Sequence, residues 1–189
     1  MTQDERSEAT KARILAAALD LFSSRGFEGS STKSVAAAAG VSEGVIFHHF
    51  GSKLGMLRAL RTPEHSLSAA LEPLIPAYRE RPARELAAAV AETFRAIARR
   101  DGKLLSLLVM ESAKNDELGE LFRAQLRRAE AVLAEELQRR ALGGEPLALV
   151  DPQASARQLV ARLLLDFILA GPVGDRGLTE LMDDCRRLF

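Results

Sequence analysis

The chain has 189 residues, 47% of them hydrophobic, and its 26 Lys and Arg balance its 26 Asp and Glu, so that its formal net charge is zero. This length supports one or two domains with a buried core, and the single cysteine, Cys185, excludes an intramolecular disulfide framework. Residues 1–61 carry eight Lys or Arg against six Asp or Glu, which excludes a strongly basic nucleic-acid binder but allows one with a modest electrostatic contribution.

The N-terminal segment predicts a helix rather than a targeting signal. Residues 1–13 are polar with mixed charges and do not resemble a signal peptide. Because the single Cys185 suits a reducing compartment, we expect a cytoplasmic protein. The helix should end at Gly26, since glycine is favoured just past a helix end. Its core-facing stripe consists of Ile14, Leu15, Ala18, Leu21 and Phe22.

Residues 30–53 predict two short helices around a tight turn. Ser31 or Thr32 can cap the first helix, Gly40 can end it in the left-handed conformation, and Ser42 can cap the second. This order is typical of a helix-turn-helix.

The second of these helices presents an unusual outer face. Ile46 and Phe50 are four residues apart and should point inward. The outward residues then include Phe47 beside His48 and His49. A helix of this size, held at a fixed angle by its partner, can enter the major groove of DNA.

Helical patterns continue beyond this segment. Ser52 can cap the next helix, and a helix between residues 64 and 82 should be broken or kinked by Pro73 and Pro76. Residues 83–100 and 103–111 read as two helices separated at Asp101 and Gly102.

A long amphipathic helix is predicted over residues 116–142. The pairs Glu135 with Arg139 and Glu136 with Arg140 have the favourable four-residue spacing, and we expect them on its outer face.

Residues 153–170 form a helix with apolar side chains on almost every side. It is too short and too charged to span a membrane, and we expect it to be buried against its own subunit on one side and a partner on the other. With a short terminal helix over residues 178–189, it should form a four-helix dimer interface. The expected interface residues are Leu159, Leu163, Phe167 and Leu181.

In order and spacing, the N-terminal third of the chain resembles the TetR family of one-component transcriptional regulators. The resemblance rests on the sequences RILAAALDLFSSRGF, AGVSEGVIFHHF and SK. It implies an all-α protein with a three-helix DNA-binding head in residues 1–51 and a helical effector-binding and dimerisation body in residues 52–189. It further implies a homodimer that represses transcription from a roughly palindromic operator until a small, mostly apolar effector releases it.

The resemblance also implies which residues meet DNA. Phosphates or a base edge would be contacted by Ser31, Thr32 and Lys33, and bases by Ser42, Gly44, Val45 and His48. Contacts along the DNA backbone would come from Phe47, His49 and Lys53. Two positions depart from the family pattern. Phe47 replaces a usual tyrosine, and Glu43 stands where a basic or neutral residue is common; this carboxylate is repelled by phosphates but could accept a hydrogen bond from cytosine.

An effector pocket in the body is a further expectation. Its candidate lining residues are Phe94, Met110, Phe122 and Phe167, although such residues at helical spacing also form ordinary cores. Asp166 either forms a rim ion pair with Arg162 or faces the pocket.

Other chemistry has little support in the sequence. His65 and Cys185 lack partners at metal-ligand spacing, and there is no phosphate-binding loop or nucleophile motif, so that we expect no metal, no cofactor and no enzymatic activity. Two alternatives stay open: a regulator of the same fold that senses a protein partner, and a helical-bundle enzyme or carrier that does not bind DNA.

Overall fold

A computed structural model describes residues 2–60, 66–145 and 151–170, and over these ranges it contains helices and turns but no strand. The all-helical prediction is confirmed. In chain order the helices are α1 (Gln3–Arg25), α2 (Thr32–Ala39), α3 (Glu43–Phe50), α4 (Lys53–Leu60), α5 (Leu67–Ala77), α6 (Ala83–Glu111), α7 (Asp116–Leu142) and α8 (Pro152–Ala170).

The described residues divide into two compact units. The N-terminal unit contains residues 2–60 together with Lys103–Asn115, and the body contains residues 66–102, 116–145 and 151–170. α4 and the last part of α6 therefore belong to the same unit as the helix-turn-helix. The predicted boundary after residue 51, between a DNA-binding domain and an effector-binding domain, stays a prediction.

α1 is the scaffold of the N-terminal unit and packs against α2 and α4. Its side chains Ile14, Ala18 and Phe22 are completely buried, as the apolar stripe predicts. The loop after α1 is fixed by the buried Ser30, whose hydroxyl lies within hydrogen-bonding distance of the carbonyls of Leu21 (3.1 Å) and Gly26 (2.9 Å). The loop thus holds the start of α2 firmly against α1.

The predicted interruption of α6 is confirmed. Asp101 leaves the helical conformation, with φ −118° and ψ 23°, and the helix resumes after it. The resumed part contributes the buried Leu107 and Leu108 to the N-terminal unit. It is also tied to α1 by Lys103, whose Nζ lies 2.7 Å from Oδ1 of Asp20.

The body is built from α5, α7, α8 and the first part of α6 around one apolar core that includes Leu71, Val90, Leu133 and Leu163. α7 packs against both α5 and α8 and has the bounds predicted from the sequence. α5 runs through its two prolines without a break in the helix. Both prolines are exposed.

The expectation that Glu136 and Arg140 lie on the outer face of α7 is wrong. Their side chains are only 4% and 2% exposed, respectively. The guanidinium of Arg140 donates to Glu136 Oε1 (2.7 Å) and to the backbone carbonyls of Tyr78 (2.7 Å) and Arg81 (2.5 Å). The turn between α5 and α6 covers this part of α7, and Arg140 donates to two backbone carbonyls of this turn.

The predicted terminal helix lies outside the described residues. This includes Leu181, expected at the dimer interface, and Cys185. His65 is likewise outside them.

Candidate DNA interface

α2 and α3 form a helix-turn-helix whose turn is set by Gly40. This glycine has the left-handed conformation (φ 65°, ψ 39°), as the sequence predicts, and its N–H faces the carbonyls of Ala36 and Ala37. The N–H of Val41 donates to the carbonyl of Ala36 at 3.0 Å. These bonds are those of a helix that ends in a left-handed residue, and they fix the direction in which the chain enters α3.

α3 is anchored by one face and exposes the other. Ile46 is completely buried and Phe50 partly so, as the four-residue spacing predicts. Phe47 is 50% exposed, and His48 lies beside it on the outer face. The other predicted contact residues of α3 and its cap are exposed (Ser42, Gly44) or partly exposed (Glu43, Val45, His49).

The start of α2 carries three of the predicted contact residues. Ser31 caps the helix by accepting from the N–H of Ser34 at 3.1 Å. The hydroxyl of Thr32 donates to Oε1 of Glu43, so that this side chain bridges the first residues of α2 and α3. Lys33 is exposed, and its ammonium has no ion-pair partner within the described ranges.

Ser42 occupies the cap position of α3 without using its hydroxyl as a cap. The side chain is exposed at the start of the helix. Its hydroxyl is therefore available to an outside partner, in contrast to that of Ser31.

Lys53 is used within the protein. Its ammonium donates to the carbonyl of Phe27 at 2.9 Å and lies 4.3 Å from the centre of the same residue's ring. Oε2 of Glu28 is 3.6 Å away. These contacts stabilise the loop between α1 and α2, and a contact from Lys53 to DNA would have to compete with them.

The structure adds residues of α1 that sequence reasoning missed. Side chains of α1 and α3 together line a surface hollow of about 420 Å³. From α1 it takes Gln3, Arg6, Ser7 and Thr10. From α3 and its cap it takes Ser42, Gly44, Val45, His48 and His49.

Arg6 is the notable residue of this hollow. It is exposed and forms no ion pair with another described residue. The helical spacing of residues 3, 6, 7 and 10 was the available signal, since it places them on one polar face of α1. Only the packing of the helices shows that this face adjoins α3.

The candidate pocket residues are only partly brought together. The rings of Phe94 and Phe167 are perpendicular, with centres 6.5 Å apart, and Phe122 is buried in the same unit. Met110 is 63% exposed and belongs to the N-terminal unit, so that it does not join this aromatic pair.

Asp166 forms the ion pair that its spacing predicts. Nε of Arg162 lies 3.1 Å from Oδ1 and 3.2 Å from Oδ2 of this carboxylate. The carboxylate is therefore already paired, and a role in a pocket would require that the pair open.

The expected interface residues of α8 need correction. Leu159 and Leu163 are 1% exposed and Phe167 is 7% exposed, because this face of α8 packs into the core of its own subunit. The opposite face carries Leu165, Ile168 and Leu169, which are 49%, 52% and 75% exposed. The prediction that apolar residues occupy both sides of the helix is confirmed. The side that is free to meet a partner carries Leu165, Ile168 and Leu169.

None of the described helices is long and apolar enough to cross a membrane. Within the same ranges, no group of three or more His, Cys, Asp or Glu side chains could hold a metal ion.

Comparison with known sequences identifies relatives of part of the chain. Residues 14–60 match the family described as "Bacterial regulatory proteins, tetR family". The chain is 36% identical over 70 residues to the HTH-type transcriptional regulator UidR of Escherichia coli (strain K12), and this match covers 36% of each chain. The sequence similarity thus spans about a third of this curated relative.

Solved structures extend the likeness to the whole fold. Salmonella enterica GusR is 24% identical with a TM-score of 0.68, and the match covers 95% of each chain. AibR, solved in complex with isovaleryl coenzyme A and operator DNA, is 20% identical with a TM-score of 0.69, over 95% of this chain and 97% of that one. At these identities the structures establish the fold alone.

Proposed function

We propose that this chain, which belongs to the TetR family of bacterial regulatory proteins, is a homodimeric, DNA-binding repressor that a small, mostly apolar effector releases from a palindromic operator. The observation that carries the proposal is the outer face of α3. It is anchored by Ile46 and exposes Phe47 and His48 on a helix whose angle the Gly40 turn fixes.

The contacts with DNA divide into two groups. Ser42, Gly44, Val45 and His48 lie where they can approach base edges, and His48 and the free hydroxyl of Ser42 can form hydrogen bonds there. Lys33 and Arg6 supply the positive charge that phosphates attract, and Ser31, Phe47 and His49 flank the backbone. Lys53 acts mainly by holding the loop before α2 through its bond to Phe27.

Dimerisation is proposed to use the free face of α8. Leu165, Ile168 and Leu169 form a contiguous exposed apolar stripe, which water disfavours. A second copy can cover this stripe by packing the same face against it, giving a twofold axis. A twofold dimer presents two reading helices to two half-sites.

The proposed effector site lies in the body, near the perpendicular rings of Phe94 and Phe167. Apolar and aromatic side chains suit a mostly apolar ligand. AibR, a neighbour in fold, is described as bound to both an acyl coenzyme A and operator DNA. An effector that favours the arrangement unable to bind DNA weakens operator binding without any covalent chemistry, and such a regulator acts in the cytoplasm on DNA.

The decisive experiment is selection of bound duplexes from a random DNA pool with the full chain. We expect a site with two related half-sites whose centres are about 10 base pairs, or a multiple of that, apart. Failure to enrich any sequence would refute specific DNA binding, and an enriched site without symmetry would refute the dimeric arrangement.

The effector is tested separately. Lipophilic compounds that raise the melting temperature should each be titrated against the selected operator. A true effector lowers operator affinity by roughly 5- to 150-fold, and the operator weakens the effector by the same factor. Stabilising compounds that leave operator affinity unchanged would contradict the release mechanism, and the absence of any such compound would favour a protein signal.

A further inference from the structure

Glu43 is the only acidic residue between positions 31 and 50, the segment that carries both helices of the helix-turn-helix. Lys33 is the only Lys or Arg of the same segment. The carboxylate therefore cancels the one permanent positive charge that these two helices offer to DNA. For a surface that must approach phosphates, this charge is unfavourable and calls for an explanation.

The structure shows that this carboxylate is held in place. Glu43 is the first residue of α3, and its Oε1 accepts a hydrogen bond from the hydroxyl of Thr32, the first residue of α2. The side chain is partly buried, so that it cannot simply turn away into solvent. The same bond uses the only proton that the Thr32 hydroxyl could donate to a phosphate.

An ionised carboxylate only accepts hydrogen bonds. In the major groove the available donors are the amino groups of cytosine and adenine. Adenine places its N7 acceptor beside that amino group, and guanine presents acceptors alone, so that both bring a repulsive atom close to a carboxylate. Cytosine is the base that best suits Glu43.

We propose that Glu43 is a specificity-determining residue that disfavours binding to DNA in general and tolerates a site where a cytosine amino group faces its carboxylate. This inference rests on the proposed function and describes how the same surface discriminates between sequences. Thr32 is the positioning residue, because its hydrogen bond keeps the carboxylate at the start of α3.

The test uses Glu43→Gln, which has nearly the same shape and retains an oxygen that can accept from Thr32. The variant should bind random duplex more tightly at low salt. Each phosphate charge that is neutralised adds about 0.9 to the slope of log affinity against log salt, so that two heads should steepen the slope by up to about 1.8. This corresponds to a roughly tenfold larger loss of affinity between 50 and 200 mM salt.

The second readout is sequence preference. In a repeated selection, Glu43→Gln should lose a preference for cytosine at one position of each half-site. Replacing that C·G pair by T·A in the operator should then weaken the unchanged protein more than the variant. Thr32→Val should reduce the preference for cytosine without increasing the affinity for random duplex, because the charge of Glu43 stays but its hydrogen bond to residue 32 is lost.

Glu135→Gln is the matched control, since it makes the same change of charge at an exposed position of α7 in the body and should leave both readouts unchanged. If Glu43→Gln increased the affinity for operator and for random DNA equally, the proposed preference for cytosine would be overturned. If it changed neither affinity, the whole inference would be overturned. Absence of DNA binding by the unchanged protein would instead refute the proposed function.

Discussion

Replacing Arg140 by Met should strongly destabilise the body. The guanidinium is buried and donates to four acceptors: Glu136 Oε1, Glu145 Oε2 and the carbonyls of Tyr78 and Arg81. Methionine fills similar space but has no donor. The substitution therefore removes one donor from each of these acceptors. The carbonyl of Arg81 loses the side-chain donor that it has in the body, whereas Glu136 keeps the hydrogen bonds from Arg139.

The size of the effect follows from this burial. Removing one member of a buried ion pair typically costs about 3–5 kcal/mol, and the hydrogen bonds that Glu136 keeps from Arg139 place the expected loss toward the lower end of this range. A chain of this length changes its melting temperature by about 2–4 °C per kcal/mol, which predicts a decrease of roughly 6–20 °C. Since native proteins are stable by only about 5–15 kcal/mol, this loss is a large share of the total stability.

Urea unfolding followed by circular dichroism measures this loss, with Arg139→Met as the matched control. Arg139 directly precedes Arg140 and donates to the same Glu136, but its side chain is 45% exposed. The control should lose much less stability. Equal losses for the two variants would refute the reasoning, as would a loss for Arg140→Met no larger than that of an ordinary surface substitution.

Three further predictions concern Glu136, the free face of α8 and the proposed contacts with DNA. Burial by itself raises the pKa of Glu136, but the hydrogen bonds from Arg139 and Arg140 outweigh it and hold the pKa below its ordinary value of 4.5. The ionised Glu136 therefore stabilises the folded state above its ordinary pKa, and this stabilisation is lost as pH falls through the lowered pKa. In acid, the free energy of unfolding should fall more steeply with pH for the unchanged protein than for Glu136→Gln. Leu165→Glu should give folded monomers in light scattering, whereas Leu163→Glu, in the core, should lose its helical circular dichroism. A dimer that survives Leu165→Glu and Ile168→Glu together would contradict the α8 interface. His48→Ala should weaken binding to the operator more than binding to random duplex. Arg6→Ala should weaken binding to both and flatten the salt dependence, as measured by titrations at several salt concentrations. Equal effects of the two variants on all sequences would contradict the division into base and phosphate contacts.

Local chemistry explains why much of the helical arrangement could be read from the sequence. Gly40 has a conformation that favours glycine, Ser31 accepts from its own helix, and Asp101 interrupts α6 where the sequence suggests a stop. The bounds of α7 follow likewise from its apolar period. Each of these features depends on residues close together in the chain, and the candidate reading face of α3 follows from the same short-range rules.

Tertiary structure decided what long-range contacts determine. Periodicity identified two apolar sides on α8, but only packing shows that Leu163 faces its own core while Leu165 is free. Arg140 has the spacing of a surface ion pair and is buried because a turn from elsewhere in the chain covers it. Lys53 lies where a phosphate contact is expected, yet its ammonium meets Phe27, which is 26 residues earlier. A side chain's spacing along a helix sets its direction, whereas its partner is whatever the rest of the chain brings to that place.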